Sequence, residues 1–273
     1  MSTKTMSLVH PTAIIDPSAK IDPSASVGPY AIIGEGSSIG PGCKIGAHAV
    51  VEHVVMGKDN NLFPGCHVGV APQDLKYAGE KTRLVMGDKN TVRECVTLNR
   101  GTAAHGETKI GSNCLFMAYS HVGHDCQLGD GVILVNSVAL AGHVTIGDYS
   151  VIGGLAAIHQ YQTIGKYCMI GGGSMLNKDV PHYCLCQGYP AVLRGLNALG
   201  IKRSGVSREV LTAIKDAYKT LFHAGLRLEE AVAALRSAHP GPEVASMLDF
   251  IEKSKRGVMR PASGLLEEEG AAI

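Results

Sequence analysis

An aliphatic residue recurs at every sixth position through the first stretch of the chain: Val9, Ile15, Ile21, Val27, Ile33, Ile39, Ile45 and Val51. After a skipped residue the series resumes at Met56, Leu62 and Val68, then at Met86, Val92 and Leu98. It runs unbroken from Ile110 through Phe116, Val122, Leu128, Leu134, Leu140, Ile146, Ile152, Ile158, Ile164 and Ile170 to Leu176. Two residues earlier stands a second column, mostly small, as at Ala25, Ala31, Cys43, Ala49, Cys114, Ser120, Cys126, Ala156 and Cys168. Neither an amphipathic helix nor an alternating strand has this period. A unit of six with two inward columns is a short strand and a corner. Three units close a triangular coil, and residues eighteen apart stack at the interstrand spacing of about 4.8 Å. The spacing therefore predicts a mainly β chain, a parallel β-helix of hexapeptide repeats over residues 1–190. Glycine often follows the large residue, as at Gly28, Gly34, Gly111 and Gly123, and is expected to ease the chain into each corner through its conformational freedom.

Two polar stretches, residues 72–84 and 99–109, interrupt the hexads and are expected to leave the prism as loops. Beyond Leu176 the period changes. Ser207 is placed to cap a helix starting at Arg208, with Val210, Leu211, Ile214, Ala217, Tyr218 and Leu221 on one face. Further helical patterns lie near 228–238 and 242–255, so residues 191–273 are expected to form a C-terminal α-helical domain, with a disordered tail from Pro261.

The period also sorts the outward residues by face. Lys109, Gln127, Thr145 and Thr163 form a polar face. Leu115, Met117, Ile133, Val135, Val151 and Met169 form an apolar face, and His121, Ala139, Ala141, Ala157 and His159 a face of small residues and histidines. A soluble monomer does not leave such an apolar strip open. The expectation is a homotrimer packed around a threefold axis with sites between neighbours; the alternative is that the C-terminal helices fold over the strip.

The densest polar cluster is His121-Val122-Gly123-His124-Asp125-Cys126. Stacking by eighteen puts Gly142 and Gln160 over His124, and His143 beside Asp125, at one corner. Gly142 is expected to leave an open step above His124, with a peptide N–H directed into it. A neutral imidazole near an oxyanion donor suits general-base activation of a hydroxyl. No hexad supplies Ser or Cys at that corner, which favours direct acyl transfer over a covalent acyl-enzyme. Histidines on adjacent coils could instead ligate zinc, as in a hydratase; Cys126 points inward, and the site is read as holding no metal.

Composition narrows the partners. The chain has 45% hydrophobic residues, no Trp and 34 glycines among 273 residues, so the core must be an aliphatic lattice. A net charge of +1 excludes bulk attraction to nucleic acid or anionic membrane. No apolar run could insert into a bilayer, and MSTKTMSLVH lacks a signal-peptide pattern, so the expected location is the cytoplasm and the eight cysteines are expected to be free thiols.

The segments QDLKYAGE (73–80), HVGHDC (121–126), LAGHV (140–144), HQ (159–160) and KDVPHY (178–183) resemble the UDP-N-acetylglucosamine 3-O-acyltransferases of lipid A biosynthesis, a similarity running from His10 to about Arg260. The resemblance implies a left-handed coil. It also implies transfer of an (R)-3-hydroxyacyl group from acyl carrier protein to the 3-hydroxyl of UDP-N-acetylglucosamine, the first step of lipid A synthesis, by a homotrimer without cofactor. It makes His124 the base, Asp125 its carboxylate and Gly142 the oxyanion donor. Asp74, Lys76, His121, His143, Gln160, Asn197 and Arg203 would hold or flank the nucleotide sugar. Gly172 coincides with the position that limits the acyl chain, and with Met169 it would shape the acyl groove; Met175 stands close by. Asn99 stands where some relatives have His, Ser204 where some have a second Arg, and Gln162 replaces a small inward residue. A sugar N-acyltransferase on the same fold is the nearest alternative.

Overall fold

A computed structural model describes residues 8–262. Most hexads are a two-residue strand, such as His121–Val122 or Gln127–Leu128, followed by a turn, and through the prism a strand pairs in parallel with the strand three further along. Among the described residues this gives three sheets of nine, eight and ten strands, the walls of a left-handed triangular parallel β-helix. The register matches the expected stacking: His121 pairs with Ala139, Gln127 with Thr145 and Ile133 with Val151. The polar, apolar and histidine faces are therefore those of the sequence reading.

Both columns point inward. Ile33, Leu62, Leu98, Phe116, Leu134, Leu140 and Ile152 are buried, as are the small residues Ala31, Cys43, Cys66, Cys126 and Cys168. Burying each large aliphatic side chain contributes about 1.5–3 kcal/mol. All eight cysteines are free. Where the small column carries asparagine the core gains a polar ladder. The Asn60 amide donates to Gly87 O at 2.9 Å and the Asn90 amide to Gly111 O at 3.0 Å, while Asn60 Oδ1 accepts the Asn90 N–H at 2.9 Å.

The glycines after the large residues differ from expectation in their physical role. Their φ angles are not left-handed; a Cβ on Gly123 would instead lie 2.8 Å from the carbonyl carbon of Ala141, on the next coil. Close approach, not conformational freedom, excludes a side chain there. The left-handed step falls two residues later, at Asn113, Asp125, His143 and Tyr161.

The two interruptions are loops, shortened by strands Arg83–Met86 and Glu107–Ile110 that begin or end inside them. After the last hexad an antiparallel hairpin, Cys184–Gly188 with Ala191–Leu196, extends the apolar sheet. Four helices follow: α1 (Ala198–Arg203), α2 (Arg208–His223), α3 (Leu228–Ser237) and α4 (Pro242–Lys253). Ser207 caps α2 by accepting the Val210 N–H, and Ile214, Ala217, Tyr218 and Leu221 are its buried face. Helices α2 to α4 pack chiefly on one another. The segment is tied to the last coil: Asp179 accepts from the Ser254 hydroxyl at 2.6 Å, and Met259 N donates to Asp179 O at 2.8 Å. Pro261, where the disordered tail was expected to begin, still bridges to Leu193; residues from 263 on lie outside those described.

Candidate active site

The corner between the histidine and polar faces gathers the cluster. Asp125 and His143 take the left-handed step with φ of 59° and 62°. That conformation costs an L residue about 1–2 kcal/mol, and Asp and His tolerate it better than most. Nδ1 of His124 lies 2.8 Å from Oδ2 of Asp125, whose side chain is fully buried. Asp125 also receives the Thr102 N–H at 3.0 Å and the Thr102 hydroxyl at 2.6 Å. Burial, the largest single influence, pushes this carboxyl up. The hydrogen bonds from Thr102 and His124, with the nearby His143, outweigh it, and the pKa falls below the ordinary carboxylate value. An ionised carboxylate only accepts, so the shared proton sits on Nδ1 of His124 and leaves a lone pair on Nε2.

Nε2 faces outward toward Asp74 Oδ2, 3.9 Å away on the 72–84 loop. That loop is anchored by Arg100, which donates to Glu52 and Gly69 O at 2.9 Å each and to the Tyr77 hydroxyl at 3.0 Å. Within the loop the Lys76 N–H donates to Asp74 Oδ1 at 3.0 Å, and the Lys76 side chain is exposed.

Gly142 does stack over His124, but the step is not vacant. A Cβ there would come within 2.5 Å of Cε1 and 2.6 Å of Nε2 of His124, because the imidazole lies across the glycine. Among the described residues no acceptor takes the Gly142 N–H. His143 stacks on Tyr161 at 4.3 Å and 7°, with its Nε2 3.8 Å from Asp125 Oδ2. Burial lowers its pKa, as it does for His121, so both imidazoles favour the neutral form. His121 is fixed by the Thr97 hydroxyl, 2.7 Å from Nδ1.

One corner thus brings together Asp74, His121, His124, Asp125, Gly142 and His143, with Lys76 nearby and Gln160 exposed two coils on. Asn197 and Arg203 are elsewhere in the single chain. Asn197 donates to Tyr167 O at 2.9 Å, at the corner between the polar and apolar faces, and caps α1 by accepting the Gly200 N–H. Arg203 is exposed at the end of α1. Gly172 stacks on Gly154 at the third corner, and Met169 lies on the apolar face. Asn99 is buried with its amide on Ala71 O at 3.1 Å, so it braces the base of the 72–84 loop. Gln162 is buried; its Oε1 accepts the His159 N–H at 3.1 Å and its Nε2 has no partner.

Thr102 and His105 stand beside Asp125 and were missed by sequence reasoning. A signal existed: counting back eighteen from His124 lands on Gly106, so the 99–109 loop had to replace the corner beneath His124. His105 Nδ1 lies 3.8 Å from Asp125 Oδ1. His105, Asp125 and His143 place three metal-capable atoms within 4.8 Å of one another.

Comparison with known proteins gives the family. A family model described as UDP N-acetylglucosamine O-acyltransferase, domain 2, matches residues 179–259; a bacterial transferase hexapeptide model matches 107–142, and a GMPPB C-terminal domain model 3–104. The acyl-[acyl-carrier-protein]–UDP-N-acetylglucosamine O-acyltransferase of Anaeromyxobacter sp. (strain K) is 48% identical over 194 residues, covering 70% of this chain and 76% of the relative. The enzyme of that name from Halorhodospira halophila is 45% identical over 70% of this chain and 75% of its own. The UDP-N-acetylglucosamine O-acyltransferase structure from Moraxella catarrhalis RH4 superposes with a TM-score of 0.90 at 41% identity, covering 93% of this chain and 100% of the other. The Francisella novicida UDP-N-acetylglucosamine acyltransferase structure superposes with a TM-score of 0.91 at 35% identity, over 97% and 99% of the two chains. On the hexad prism and on relatives of this identity and coverage, the chain belongs to the acyl-[acyl-carrier-protein]–UDP-N-acetylglucosamine O-acyltransferase family.

Proposed function

We propose that the chain transfers an (R)-3-hydroxyacyl group from acyl carrier protein to the 3-hydroxyl of UDP-N-acetylglucosamine, opening lipid A synthesis, with His124 as general base. The observation that carries this is the direction of His124: Nδ1 is held by a buried carboxylate and Nε2 faces the gap closed by Asp74. Nε2 takes the proton of the sugar hydroxyl as its oxygen attacks the thioester carbonyl carbon. The carbon–oxygen bond forms, the Gly142 N–H receives the oxyanion, and collapse breaks the carbon–sulfur bond. The proton on His124 then passes to the departing carrier thiolate. No covalent acyl-enzyme is needed, and the nearest thiol is unsuited to form one. Cys126 points into the core, donates to Ala141 O at 3.2 Å, and burial pushes its pKa up to about 12. Nothing in these steps calls on a cofactor.

The nucleotide sugar is assigned to Asp74, Lys76, His121, His143 and Gln160 of one chain, with Asn197 and Arg203 contributed across a threefold assembly. The spread of those residues over two corners of a single chain and the half-exposed apolar strip support a homotrimer. None of the described helices is long and apolar enough to cross a membrane, and both substrates on this reading are soluble, which supports a cytoplasmic site of action.

The test is release of carrier-protein thiol, read with a chromogenic thiol reagent, with and without UDP-N-acetylglucosamine. Release should need that sugar, the product should carry an ester, and His124→Ala should lower turnover by about 10² to 10⁴ in an otherwise intact protein. Equal release with other nucleotide sugars, an amide product, or His124→Ala activity within tenfold of the parent would each refute the reading.

A further inference from the structure

Three imidazoles surround the Asp125 carboxylate, and only His124 is within hydrogen-bond distance of it. His105 and His143 each aim one nitrogen at it from 3.8 Å, Nδ1 toward Oδ1 and Nε2 toward Oδ2. That separation is too long for a hydrogen bond. The reaction proposed above uses neither nitrogen for proton transfer. We propose that His105, Asp125 and His143 form an inhibitory binding site for zinc.

Imidazole nitrogen and carboxylate oxygen are the donor types zinc takes, at about 2.0–2.2 Å, in a tetrahedron whose ligand atoms stand roughly 3.3 Å apart. The three atoms here all lie within 4.8 Å of one another. His143 Nε2 and Asp125 Oδ2 already stand 3.8 Å apart and need to close by only about half an ångström, so most of the contraction, up to about 1.5 Å, falls to His105. The His105 side chain is 55% exposed on the 99–109 loop, makes no hydrogen bond among the described residues, and meets His143 edge-on at 5.4 Å between ring centres. The other two ligands are held in place. Asp125 is fixed by Thr102, and His143 by its stack on Tyr161. With His105 more than half exposed, the cluster is open to solvent on that side.

Zinc here would draw on the carboxylate that orients His124 and would occupy the space beside Nε2 of His143. The inhibition, though not the binding, rests on the reading of Asp125 as the partner of a catalytic His124. His105 is assigned neither to substrate nor to proton transfer, and it makes no hydrogen bond to Asp125 or His143, so its loss should leave the basal reaction intact.

The experiment uses the whole chain freed of metal with a chelator. Zinc sulfate is added in equilibrium dialysis, cobalt(II) is added separately for its visible spectrum, and transfer is assayed across a zinc titration for the parent and for His105→Ala. The expected results are about one zinc per chain with a tetrahedral cobalt band, and inhibition reversed by chelator. His105→Ala should keep parental turnover without metal while needing at least about tenfold more zinc for half-inhibition. Absence of stoichiometric binding, or equal binding and inhibition in His105→Ala, overturns the site. Binding that depends on His105 but leaves activity untouched overturns the inhibitory role and removes Asp125 from the catalytic reading.

Discussion

At the scale of single residues the proposed base, His124, is positioned by what is missing at 142. The imidazole of His124 occupies the volume a Cβ would take, 2.5 Å from Cε1. Gly142→Ala must push the ring away and stretch the 2.8 Å contact with Asp125, while the peptide N–H at 142 remains. The substitution therefore separates alignment of the base from the oxyanion donor. We expect kcat to fall by about 10² to 10³ with KM for the sugar nearly unchanged, as for a displaced general base. Wild-type kcat in Gly142→Ala would show that the close contact does not fix the ring. The dyad itself was legible in the sequence because it sits on the lattice: once the period is known, adding eighteen to 124 and 125 finds Gly142 and His143. Thr102 and His105 were not, because a loop has no period and its side chains are placed by the corner they replace.

At the scale of elements the helical segment packs on the last coil at a side chain that titrates. His182 Nδ1 accepts the Lys166 N–H at 2.9 Å, and its ring packs against Phe250 of α4. Burial, with Lys166 adding to it, pushes this imidazole down from 6.5 to about 4. The folded pKa lies below the unfolded one, so the unfolded chain binds the proton first. The stability of the neutral ring is fully present above pH 6.5 and is lost progressively as pH falls through 4, by up to about 3 kcal/mol. His182→Asn keeps an acceptor for Lys166 without the titration. Melting temperatures from pH 7 to pH 4 should fall less steeply in His182→Asn than in the parent, and parallel slopes would remove His182 from the acid response. Helix α2 and its Ser207 cap were readable from local pattern, whereas the hairpin Cys184–Leu196 was not. Its buried Cys184, Cys186, Ala191 and Leu193 follow no hexad, and only pairing against the apolar sheet makes them strands.

At the scale of the whole molecule the geometry of the prism separates the two halves of the proposed reaction. His124 and the column Ala118, Asn136, Gly154 and Gly172 flank opposite edges of the histidine face, six residues apart along a coil and so up to roughly 20 Å. An acyl chain lying along that column reaches the base of a neighbouring chain only if prisms pack side by side through the apolar strip. Val135→Glu, on that strip, puts an unpaired charge at the threefold contact proposed above, where burial is strongly unfavourable, and light scattering should then report monomers. A persistent trimer would mean that another face makes the contact. If the trimer forms as proposed, Gly172 sets the length of the groove. The column loses its side chains at Gly154 and Gly172, and a Cβ at 172 would meet only Gly154 O, at 3.2 Å, with Gly154 N next at 3.9 Å. Gly172→Met therefore fits with a shift of a few tenths of an ångström and fills the open end, leaving the His124 corner undisturbed. Each methylene excluded from the groove costs about 0.8 kcal/mol of burial, roughly fourfold in affinity. A donor four carbons too long should thus lose about two orders of magnitude in kcat/KM relative to a short one. An unchanged ratio of rates on long and short acyl carrier proteins would show that the acyl chain does not run past Gly172.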